Sequence, residues 1–121
     1  MGSPRNCGAF GSLMSFSSNE KLRQLRERYG ASTNQIVEGF RGMAARLASA
    51  PTDPEMLDVL RRELHRLHGT AGSYGYTEAS QLAAALEERV GGWAAAPTLE
   101  VGDRATVVAE FARSIETAFK S

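Results

Sequence analysis

Residues 52–76 read TDPEMLDVLRRELHRLHGTAGSYGY, and the spacing within this stretch decides the fold. Leu57, Leu60, Leu64, Leu67 and Ala71 recur at steps of three and four, the period of a helix with one apolar face. The start is marked. Thr52 and Asp53 can accept the free N–H groups of a first turn, Pro54 suits the first helical position, and Glu55 favours the positive end of the helix dipole. Gly72 and Gly75 mark the other end, so a helix is predicted over residues 54–73.

Working outward, Thr77 can cap a following helix with Ala79, Leu82, Ala83, Leu86 and Val90 inward, stopped by Gly91 and Gly92, which predicts residues 77–91. After a loop through Pro97, Val107, Val108, Phe111, Ile115 and Phe119 mark a last helix over 98–120, capped by Thr98 or Asp103. On the other side, Leu22, Leu25, Tyr29, Ile36, Phe40, Met43 and Leu47 predict helix over 20–49, from a Ser17/Glu20 capping box to Pro51. Gly30 leaves open whether this is one long helix or two joined near residues 30–34. Residues 1–16, rich in Gly and Ser without an apolar period, read as a disordered arm, and residues 17–121 as one domain. No segment alternates as a strand does. Four amphipathic helices with short connections predict an all-α, antiparallel up-down-up-down four-helix bundle.

Composition narrows the function. The chain has 121 residues, enough for one core, and its 14 basic side chains balance 14 acidic ones, whereas nucleic-acid binders carry a basic excess. A nucleic-acid partner is therefore not expected. Neither is a membrane span, for want of a long apolar run. The single cysteine, Cys7, cannot form an internal bridge, which fits a reducing cytoplasm.

At 100° per residue, His65 falls well outside the leucine stripe. Arg61 and Arg62 lie one turn before it and Gly69 one turn after, with Gly72 two turns on and His68 nearer the stripe edge. Glycines beside an exposed imidazole cost helix propensity but leave room for a partner to reach it. The two arginines supply the cationic charge that an anionic group on that imidazole would want. The plainer reading is a solvated surface histidine beside a glycine cap. His65 and His68 at i, i+3 could be half a metal site, but no Glu-x-x-His pair from a facing helix completes it, so neither metal nor cofactor is expected. Nothing in the spacing suggests a catalytic triad or a phosphate-binding loop.

The run His65-Arg66-Leu67-His68-Gly69-Thr70-Ala71-Gly72-Ser73-Tyr74-Gly75-Tyr76, with Leu82 and Leu86-Glu87 beyond it, resembles the histidine phosphotransfer domain. That family's pattern is His-x-Leu-Lys-Gly-x-Ala, a glycine turn, and a helix closing on Leu-Glu or Leu-Gln. The closest motif likeness is to the phosphotransfer domain of chemotaxis-type kinases. The resemblance implies a phosphorelay intermediate of two-component signalling, without kinase activity of its own, whose partners are a histidine kinase and a response-regulator receiver domain. The bundle is expected to be a monomer, although the family includes dimers and the leucine-striped first helix over 20–49 could pair with another chain. His65 matches the phosphoacceptor, Gly69 the clearance glycine and Glu87 the group that orients the acceptor imidazole. Glu87, one position after Leu86, could reach His65 across the interhelical groove. His68 stands where the family has lysine, and an imidazole is only partly charged at neutral pH. That departure keeps a second reading open, a phosphorylation-incompetent docking module. The sensor-kinase dimerisation hairpin fits less well, because Arg66 and Thr70 stand where it has an acidic residue and a proline.

Overall fold

In the computed structural model, which describes residues 8–120 and the side chains of residues 20–120, the Asp53 carboxylate accepts the Glu55 N–H at 3.1 Å with Pro54 in the first turn. The helix started there runs Pro54–Ser73. It closes as a Schellman turn: the Tyr76 N–H reaches the Ala71 carbonyl at 2.8 Å and the Gly75 N–H the Gly72 carbonyl at 3.2 Å. Gly75 takes φ +87°, which a side chain would strain.

In chain order the helices are α1 (Gly8–Ala31), α2 (Thr33–Ser49), α3 (Pro54–Ser73), α4 (Thr77–Ala95) and α5 (Arg104–Lys120). The described residues contain no strand. α2 to α5 form the antiparallel up-down-up-down four-helix bundle, with the tightest packing between α3 and α4 and between α2 and α5. The five expected stripe residues of α3 are all buried, against Phe40 and Leu47 of α2, Ala83, Leu86 and Val90 of α4, and Val108 and Ile115 of α5.

The long N-terminal stripe resolves into two helices. Ser32 and Thr33 turn their hydroxyls onto the carbonyls of Tyr29 and Gly30, both at 2.8 Å, and local bonds of this kind compete with the helical ladder. Leu22 and Leu25, expected in the apolar stripe, are exposed on α1. α1 meets the bundle through Tyr29, stacked on Tyr74 at 4.8 Å between ring centroids and edge-on to Phe119 at 6.0 Å. Residues 1–7 of the expected arm lie outside the described residues; residues 8–16 are helical, so the helix starts well before the Ser17/Glu20 signal.

Two other boundaries and one cap differ from the expected ones. α4 runs through Gly91 and Gly92 to Ala95, because Trp93 beyond them is fully buried. Two glycines cost about 2 kcal/mol of helix propensity, whereas burying a tryptophan contributes roughly 4 kcal/mol. Tyr76 rather than Thr77 holds the cap position of α4, with no side-chain cap bond. α5 begins at Arg104 and not near Thr98, since Glu100 takes φ 53° within a run of turns. Arg104 itself is fully buried. Its guanidinium donates to the carbonyls of Pro51, Trp93, Ala96, Pro97 and Leu99, tying the end of α4 to the loop before α3.

Candidate functional site

Leu64 and Leu67 anchor the middle of α3 in the core, and the helical period then turns His65, between them, to solvent. Its side chain is 77% exposed, whereas its partner Glu87, next to buried Leu86 on α4, is 26% exposed. His65 Nδ1 stands 3.1 Å from Glu87 Oε2. A carboxylate can only accept, so the contact holds the proton on Nδ1 and leaves the Nε2 lone pair free.

The register of α3 against α4 places the other groups. From His65 opposite Glu87, seven residues forward on α3 and seven back on α4 bring Gly72 opposite Ser80, where a Cβ on Gly72 would lie 3.1 Å from Ser80 Oγ. Ser80, nearly buried, donates to the His68 carbonyl at 2.8 Å. Four residues the other way bring Arg61 opposite Gly91, where a Cβ would stand 3.8 Å from the Arg61 guanidinium. The imidazole–carboxylate pair is thus bracketed by two glycine contacts.

The expected clearing divides accordingly. A side chain on Gly69 would meet nothing within 4 Å, so that glycine opens to solvent, while the space left by Gly72 is used by Ser80. His68 is exposed on α3, three residues after His65. Arg62 pairs with Asp58 at 3.3 Å and Arg66 with Glu63 at 3.8 Å. On the other flank of α3 an open groove of about 370 Å³ against α2 has Ile36, Phe40, Met43 and Leu67 in its lining and Arg66 and Thr70 at its edge.

Neither Ser80 nor Gly91 was expected at the site, Gly91 being read from the sequence only as a helix stop. The signal was present: once His65 is paired with Glu87, counting along two antiparallel helices yields both contacts. Among the described residues no helix is long and apolar enough to cross a membrane. The family model described as Hpt domain matches residues 17–111, from within α1 into α5 and across the whole α3–α4 site. No curated protein and no solved structure matches the chain.

Proposed function

Because the chain belongs to the Hpt domain family, whose members serve histidine phosphotransfer in two-component phosphorelays, we propose that it carries a phosphoryl group on His65 between a histidine kinase and a response-regulator aspartate. The observation that carries this reading is the exposed imidazole with Nδ1 held by Glu87 at 3.1 Å. In exchange with a phosphorylated regulator aspartate, the Nε2 lone pair attacks phosphorus in line, the bond from phosphorus to the aspartyl oxygen breaks, and the carboxylate leaves with the electron pair. The Nδ1 proton stays on the ring, and the cationic phosphoimidazole is stabilised by the Glu87 carboxylate. Return to a regulator is the reverse. Positioning of the acceptor aspartate and its Mg²⁺ belongs to the partner, so catalysis resides in the complex.

The regulator approaches over Gly69, where nothing obstructs it, with Arg61, Arg62 and the Gly72 end of α3 around the contact. The groove between α2 and α3 offers an apolar edge beside that clearing. The protein acts as a cytoplasmic monomer, without a cofactor. His68 in place of the family lysine favours a second reading, a docking module that binds regulators without accepting phosphate. Incubation with a phosphorylated regulator separates the two. Acid-labile label on this chain supports transfer, and stable binding without label supports docking.

A further inference from the structure

Three arginines surround His65 on the outer side of α3, and the structure distinguishes them. Arg62 is drawn back along the helix to Asp58, and Arg66 to Glu63 on the flank facing α2. Arg61 makes no ion pair among the described residues. It crosses to α4 instead, where its Cζ, Nε and Nη2 each lie 3.8 Å from the point a Gly91 Cβ would occupy. Arg61 is one turn before His65 on α3, and Gly91 one turn beyond Glu87 on α4. Helical side chains lean toward the N-terminus, so the imidazole leans over the turn that carries Arg61, while Arg61 leans the same way, into the pocket it lines with Pro54, Asp58 and Ala94, and turns back along the groove to meet an incoming group.

We propose that Arg61, seated across Gly91, is a catalytic residue that neutralises the phosphoryl oxygens as the group joins His65 Nε2; this rests on His65 being the acceptor. Glu87 holds the ring but adds a negative charge close to an incoming anion. A guanidinium on the same interhelical line offsets it and offers planar N–H donors that match phosphoryl oxygens. A Cβ at position 91 would only touch the guanidinium, whereas a side chain that extends beyond it would displace Arg61 from the seat.

Phosphoramidate tests this without a protein partner: Nε2 bonds to phosphorus, the P–N bond breaks, and ammonia leaves with the added proton. Phosphohistidine is followed by 31P NMR, with rates referred to the folded fraction from circular dichroism. Arg61→Gln is expected to slow labelling about tenfold, with Arg61→Lys between it and the parent protein. Gly91→Leu is expected to slow it comparably although Arg61 remains. Arg113→Gln, which removes an exposed charge from α5, is expected to leave the rate alone. Labelling of Arg61→Gln at the parent rate overturns the assignment while leaving His65 as acceptor. A loss seen only with a phosphorylated regulator also overturns it, making Arg61 a docking residue. Failure to label the parent protein, or labelling that survives His65→Gln, overturns the acceptor reading and this inference with it.

Discussion

Gly72 of α3 and Ser80 of α4 approach so closely that a Cβ on the glycine would stand 3.1 Å from the serine hydroxyl, which itself bonds the His68 carbonyl at 2.8 Å. This contact lies in the same register as His65 and Glu87, so the packing of two small residues fixes where the acceptor and its partner meet. The two exposed glycines of α3 therefore respond differently to alanine. Gly69→Ala gains about 1 kcal/mol from helix propensity with nothing in its way. Gly72→Ala gains the same propensity but presses on the Ser80 hydroxyl and weakens a bond of about 1 kcal/mol, so it ends below Gly69→Ala in stability. Denaturant melts of the two variants check this ordering.

Bulk at Gly69 separates stability from transfer. Gly69→Gln places a good helix former in open space, so its melting temperature holds or rises. The same side chain stands where a regulator must approach His65, and transfer from a phosphorylated regulator falls. An unchanged transfer rate would put the docking surface elsewhere.

Glu87 holds the proton of His65 on Nδ1, so removing the carboxylate frees the imidazole to adopt either tautomer. Glu87→Ala slows phosphorylation about tenfold with the fold intact. Glu87→Gln, whose amide oxygen still accepts from Nδ1, falls between. 15N spectra of the imidazole read the tautomer directly: predominantly Nδ1–H in the parent and a mixture in Glu87→Ala.

At the other end of the bundle, Glu100 carries a pH dependence. Arg89 donates to it at 2.9 and 2.6 Å and Trp93 at 2.8 Å, and these bonds hold its carboxyl near 2, below its ordinary 4.5. A depressed carboxyl contributes stability that is fully present above about 4.5 and is lost as pH falls toward 2. Glu100→Gln is therefore less stable than the parent at neutral pH, and the difference closes across that window. Acid titrations of both proteins by circular dichroism measure it.

Arg104 is buried with five backbone carbonyls around it, and Arg104→Met removes the guanidinium donor from all of them, although the Ala96 carbonyl keeps the Leu99 N–H at 2.9 Å. The expected loss is about 3 kcal/mol or more, and lysine, a single point of charge, restores little of it. Thermal melts of the two variants check both expectations.

The α3–α4 half of the bundle was the most legible in sequence, because each of its signals is local. The leucine stripe, the Asp53 cap, the glycine turn and the position of Glu87 after a core leucine all lie within a few residues of what they decide. The misread boundaries share another cause. Gly91 and Gly92 look like a stop unless Trp93 is known to be buried, and burial is set by α5 and by loops distant in sequence. Arg104 gives no sign of its burial either, since arginine is ordinarily a surface residue. Ser80 carries no periodic signal in an alanine-rich helix, and its partner is a backbone carbonyl twelve residues away.

The central claim is that His65, and not His68, receives the phosphoryl group. The most direct measurement is acid-labile labelling of three proteins by a phosphorylated regulator or cognate kinase: the parent, His65→Gln and His68→Ala. The account predicts label on the parent and on His68→Ala, and none on His65→Gln. Label that persists in His65→Gln and vanishes in His68→Ala would contradict it, placing the acceptor three residues later on α3.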